Sequence, residues 1–139
     1  MKKKSNIIVL SVLLCLAGPV QLFAGDSVEA KAPVIETILH EQLAVWPDGE
    51  AIVTTLDLPG NFRLSEHYHP GEEILYLMEG EGWIHFPDRP DVHLIAGQSA
   101  RIPARQVHSG SSGAEGLRAV VFRVHVSGEP VRVDVAKTP

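Results

Sequence analysis

From residue 34 onward, short apolar runs alternate with turn residues. TILHEQLAVW is followed by PDG, EAIVTTLDL by PGN, and FRLSEHYH by PGE. EILYLMEGEGWIHF, closed by PDRPD, comes next, then VHLIAG, QSARIP and LRAVVFRVHV. Runs rich in Val, Ile, Thr and aromatic residues, punctuated by Pro, Gly, Asp and Asn, read as strands of a sandwich or barrel. No stretch here keeps an apolar period of 3.6 over three turns. Ile35 to Leu43 fits a helical turn, and Thr37 and Ile38 fit a strand equally well. The pattern predicts one all-β domain of about eight to ten strands that close on one another and so leave no edge exposed.

The first two dozen residues follow a different pattern. Lys2, Lys3 and Lys4 precede the uncharged run IIVLSVLLCLA (Ile7 to Ala17), which Gly18 and Pro19 interrupt before Ala24 and Ala30. This is the layout of a secretory signal peptide, and the run is short for a membrane span, which needs roughly 20 apolar residues. The expected organisation is a signal peptide over 1–24 (cleavage after 24 or 30), a polar linker over 25–33, and a single domain over 34–139. The protein is then exported, to the periplasm or the medium, and keeps no membrane span after processing.

Composition narrows the chemistry. Cys15 is the only cysteine and lies inside the presumed signal, so the mature domain has no disulfide, thiolate ligand or cysteine nucleophile. Twelve basic and 17 acidic residues give a formal charge of −5; without the three leading lysines, nine basic residues remain and the charge is −8. An acidic surface argues against nucleic acid and anionic membrane as partners. No Ser/His/Asp set is legible in the sequence.

The polar residues concentrate in HYHPGEEILYLMEGEG, which begins at His67. Two positions apart on a strand, His67 and His69 point to one face, with Cα atoms about 6–7 Å apart, within reach of a common ion. Glu73 opens the apolar run ILYLM, and a carboxylate at the head of a buried strand costs several kcal/mol unless it has a partner. A metal ion is one such partner; a half-exposed strand with two solvated histidines is the plainer alternative.

The spacing goes further. Gly60, His67-x-His69, Glu73 and Gly80 are followed by Gly97, Pro103 and His108. This arrangement resembles the two motifs of the cupin family over about residues 50–126, with one extra residue between Gly60 and His67. Arg105 stands where the family has glycine, and Ser112 where it has asparagine. The resemblance implies a single cupin-type antiparallel β-barrel (a double-stranded β-helix, or jelly roll) that holds one ion through His67, His69, Glu73 and His108. Glu72 competes for the carboxylate role, but the register to Gly80 favours Glu73 and turns Glu72 outward. The resemblance is closest to small quercetin-dioxygenase-like cupins, which commonly form homodimers by strand exchange.

Three imidazoles and a carboxylate suit Fe(II), Mn(II), Ni(II), Co(II) or Zn(II). Open coordination positions would let a small oxygenated substrate chelate. The leading expectation is a metal-dependent oxidoreductase of dioxygenase type, with Glu73 both ligand and proton acceptor. Decarboxylation or isomerisation follows. A non-catalytic metal- or metabolite-binding barrel and a purely structural metal are the readings from other classes.

Remaining residues are placed by strand alternation. Ser65 and Arg63 are expected inward with the histidines, and Leu75 and Leu77 inward with Glu73; Tyr76 and Met78 face out. His40 and His93 are expected in solvent, His85 on an outer face, and Trp83 in a core gap or subunit interface. Arg123 and His125 share a face, pocket or solvent, which the sequence leaves open.

Overall fold

The computed structural model describes residues 31–135. The expected signal peptide, both expected cleavage positions and most of the expected linker lie outside the described residues. Eight strands and no helix occur among them: β1 (Val34–Gln42), β2 (Gly49–Leu58), β3 (His67–Tyr68), β4 (Glu72–His85), β5 (Val92–Ile95), β6 (Ser99–Ile102), β7 (Ser109–Val126) and β8 (Val133–Asp134). Ile35 to Leu43, ambiguous in sequence, is strand for nearly all its length. All named pairings are antiparallel.

Two long strands organise the fold. β4 and β7 pair with each other in two stretches, 72–80 against 117–124 and 82–85 against 109–112. Between the stretches both chains bend, at Gly80 and Gly116, where φ is +79° and +84°. A Cβ on Gly80 would lie 2.2 Å from the Gly116 carbonyl oxygen, so neither the torsion nor the contact admits a side chain. The bend turns one strand pair into two facing layers. β1, β2 and β6 extend the first layer and β5 the second. Along the other side of the second layer, residues 61–67 bond to 108–113 through main-chain contacts such as Leu64 N–H to Gly110 O at 2.9 Å.

Between the layers lies the core: Leu56, Leu58, Leu77, Ile84, Phe86, Leu94, Ile102, Ala119 and Val121. β2 shows why the alternating pattern produces it, since Ile52, Thr54, Leu56 and Leu58 are buried while Val53, Thr55 and Asp57 are not.

The expected full closure does not occur. The six-stranded sheet keeps β1 and β5 as edges, and β3 and β8 form a separate two-stranded sheet. Strands of two residues supply too few ladder bonds to join the layers continuously, so the jelly roll remains open at these seams. β1 is exposed along its whole length, including Ile35, Ile38 and Leu39, because nothing described packs on its faces.

The two departures from the motif behave differently. Arg105 adopts φ +61°, so the backbone that glycine would provide is kept by a residue that resists it. Its N–H donates to the His69 carbonyl at 2.7 Å and its guanidinium to Glu129 at 2.8 Å. Arg105→Gly is therefore expected to stabilise the protein by about 0.5–1 kcal/mol, relief of left-handed strain exceeding a surface ion pair. Thermal unfolding checks this; a lower midpoint contradicts it. Ser112 is buried and staples the chain entering the site: its hydroxyl accepts from Phe62 N–H at 3.0 Å and donates to the Pro59 carbonyl at 2.5 Å.

Candidate metal centre

His67 lies on β3, His69 just beyond it, Glu73 near the start of β4 and His108 immediately before β7. Main-chain bonds between His67 and His108, 2.9 Å in each direction, bring the two distant motifs together. All four side chains are buried, at 4%, 4%, 5% and 4% exposure. Ring centroids are 4.9 Å apart for His67–His69, 4.4 Å for His67–His108 and 5.6 Å for His69–His108. One ligand nitrogen from each of the three lies within 4.8 Å of the others.

Every ring makes the same kind of anchor. Nδ1 of His67 donates to the Ser65 carbonyl at 2.8 Å, that of His69 to Val131 O at 2.5 Å, and that of His108 to Gln106 O at 2.9 Å. A carbonyl only accepts, so each Nδ1 carries the hydrogen and each Nε2 presents a lone pair. This is the usual outer support of a metal-binding imidazole.

The Glu73 carboxylate sits beside these lone pairs. Oε2 is 3.1 Å from His69 Nε2, and Oε1 is 3.9 Å from His108 Nε2. Although the first distance is within hydrogen-bond range, His69 Nε2 has no hydrogen-bond partner, because its ring hydrogen is committed to Val131. Arg123 Nε meets Glu73 Oε2 at 2.8 Å, which leaves the buried lone pair of His69 Nε2 free for a cation. The donor set therefore fits a divalent transition metal, with His67, His69 and His108 as the residues that would hold it and Glu73 adjacent.

Burial pushes the His67 imidazole down to about 4, partly offset by the Ser65 carbonyl. Burial pushes His69 down to about 3, helped by the nearby Arg123 guanidinium. Both rings are neutral at pH 7, as ligands must be. The folded values lie below the ordinary 6.5, so the unfolded chain takes up protons first as pH falls. Their contribution to metal-free stability is complete above about pH 6.5 and is lost downward, at up to about 1.4 kcal/mol per pH unit for each ring. Urea midpoints of metal-free protein between about pH 7 and pH 5 are expected to fall accordingly. A flat profile contradicts this.

Arg123, whose facing the sequence left open, joins the candidate site. It is buried, donating from Nε to Glu73 Oε2 at 2.8 Å and from Nη1 to Thr54 Oγ1 at 3.2 Å. His125, on the same face, is buried too, with Nε2 donating to the Glu129 carbonyl at 3.0 Å, but it does not line the cavity. The cavity measures about 240 Å³. Its polar end is formed by the three histidines, Glu73, Arg123 and Thr54, and its walls include Leu56, Leu77, Ile84, Leu94 and Val121.

Several expectations are corrected. Arg63 and Ser65 point outward, while Phe62 and Leu64 pack on the core. The chain bends between them and β3, so the alternation that holds for His67 and His69 does not run backward. Ser65 instead meets Arg132 Nη2 at 2.6 Å. Trp83 is half-buried and stacks on His93 with ring centroids 4.6 Å apart. A Ser/His/Asp set, not legible in the sequence, does form: His85 Nε2 is 2.7 Å from Ser111 Oγ and its Nδ1 is 2.6 Å from Asp91 Oδ2. The β4–β5 hairpin brings Asp91 and the long-range β4–β7 pairing brings Ser111 to His85, and no spacing within one motif signals it. Glu72 is turned outward as expected, paired with Arg101 at 2.9 Å, while Leu77 faces in and Tyr76 out. His40 and His93 pair with exposed acids, Glu50 and Glu81.

Comparison with known proteins agrees with this architecture. The family profile described as Cupin domain matches residues 53–125, more than half of the chain. A cupin-like protein of Thermotoga maritima superposes with a TM-score of 0.60 at 21% identity, covering 74% of this chain and 75% of that one. A Klebsiella pneumoniae protein with a double-stranded β-helix domain gives 0.58 at 21% identity, covering 76% and 85%. The DMSP lyase DddQ of Ruegeria pomeroyi gives 0.56 at 20% identity, covering 73% of this chain and only 50% of its own length. No curated protein sequence matches this chain.

Proposed function

The chain belongs to the cupin family, and from that premise we propose that it is a metal-dependent enzyme of dioxygenase type acting on a small oxygenated molecule. The observation that supports this most is the shared tautomer of three buried imidazoles, each aiming Nε2 at a common point. A divalent transition metal there supplies Lewis acidity to a chelating ligand and, for iron, nickel or manganese, a place to meet dioxygen.

The remaining roles belong to the chain itself. Glu73 Oε1, the oxygen not bonded to Arg123, is placed to accept a proton from a ligand at the polar end. Arg123 holds the carboxylate in that position. The apolar walls exclude water, so electrostatic effects at the polar end are stronger than in solvent. Decarboxylation is the alternative reaction, favoured by the guanidinium beside the centre.

Elemental analysis of purified protein, followed by oxygen uptake with catechol-like and enol-forming substrates across reconstituted metals, tests the reading. Uptake with at least one metal supports it. Full metal occupancy with no uptake on any substrate turns the assignment toward a binding barrel.

An exported location and a homodimer are parts of the same proposal. Across the outer face, Ile74, Phe122, Val53 and Leu39 stand opposite one another on β4, β7, β2 and β1, a row supporting self-association. Phe122 is 44% exposed. Phe122→Glu is expected to halve the molar mass in light scattering with the fold intact; an unchanged mass places the contact elsewhere.

A further inference from the structure

The polar end of the cavity contains one donor group that neither metal ligation nor the fold uses. Two of the three Arg123 nitrogens are committed, Nε to Glu73 and Nη1 to Thr54. No described residue accepts from Nη2, and this nitrogen is not among the buried side-chain atoms that lack a partner. The Arg123 side chain is 11% exposed and lines the cavity, so its free edge opens there. That open edge is matched by a planar oxyanion, which can accept charge-assisted hydrogen bonds from it.

Charge leads to the same conclusion. Glu73 offsets Arg123, so a divalent cation among three neutral rings leaves the polar end with an excess of about two positive charges. Arg132 stands farther along the lining, its own charge met by Asp134 at 2.6 Å. The apolar walls offer nothing to neutralise the excess, and an entering anion would. Volume limits what that anion is. The cavity of about 240 Å³ has room for a small molecule, and beyond its polar end the walls are mostly aliphatic, which suits an alkyl chain.

We propose that the cavity binds a small aliphatic carboxylate, its head group on the free edge of Arg123 and its short chain along Leu77, Ile84 and Val121. This deepens the function proposed above and rests on it for the presence of the metal, though Arg123 is placed by the protein alone. A carboxylate fits better than a phosphate because it is planar, matching the guanidinium edge, and smaller.

The test uses full-length processed protein, with metal content measured for every sample. Titration calorimetry compares butanoate with its neutral counterpart butanamide and with inorganic phosphate. Butanoate is expected to bind one per chain, at least about tenfold tighter than butanamide, the worth of one charge-assisted hydrogen bond. Arg123→Lys keeps a cation beside Glu73 and loses the fork. It should retain metal, lose about tenfold in butanoate affinity and leave butanamide unchanged. Equal binding of amide and acid overturns the proposal, as does phosphate binding more tightly than butanoate. An unchanged butanoate affinity in folded Arg123→Lys likewise overturns it, since the metal alone would then explain the preference. If wild-type protein holds no metal yet still prefers butanoate, the metal reading fails while this one stands. Should the variant not fold, the wild-type ligand series decides.

Discussion

His67→Ala is expected to yield a folded protein almost free of transition metal. The fold survives because the His67–His108 contacts that join the two motifs are main-chain bonds, which alanine retains. The cost is the lost His67 hydrogen bond to the Ser65 carbonyl, which Arg132 also reaches at 3.5 Å, and the lost packing, about 1–2 kcal/mol. Metal affinity behaves differently. Removing an outer partner of a ligand typically costs 10–100-fold, so deleting one of three imidazoles should exceed about 100-fold. Elemental analysis after dialysis, with circular dichroism as the control for folding, measures both. Full occupancy in the variant would remove His67 from the centre.

The second large effect concerns the ion pair beneath the site. Arg123→Met leaves the buried Glu73 carboxyl without its cation, and such a loss costs about 3–5 kcal/mol. Changing both partners, Glu73→Gln with Arg123→Met, removes the uncompensated charge and should recover most of that stability. Urea unfolding of the metal-free single and double variants supplies the comparison. If the single variant loses less than about 1 kcal/mol, the pair is not what holds this end of the cavity together.

The sequence anticipated the clustering of the candidate ligands better than the fold's details, and particular residues show why. His67 and His69 were legible because a period of two needs only three residues to hold, and β3 with its neighbour supplies them. Extending that period to Arg63 and Ser65 failed at the intervening bend, where no ladder enforces alternation. Glu73 was separable from Glu72 because its register to Gly80 matches the family motif, and the structure buries Glu73 and Leu77 on one face.

Arg123 was undecidable for a specific reason. Val120 and Phe122 on one face of β7 are as apolar as Ala119 and Val121 on the other, so hydropathy assigns neither face to the core. The structure buries Ala119 and Val121 and exposes Phe122, a choice made by packing across the layers. Incomplete closure was hidden similarly, because it depends on strand lengths at β3 and β8 that composition does not set.

The carbonyl anchors on the three imidazoles have an evolutionary consequence. Peptide oxygens belong to the backbone and do not change when codons do, so the aim of the three rings is insulated from drift in neighbouring side chains. Leucines and valines along the walls can then be exchanged to admit new guests without retuning the grip on the ion. Such a scaffold separates two selectable properties, and descendants of this chain are free to change what they accept while keeping how they hold it.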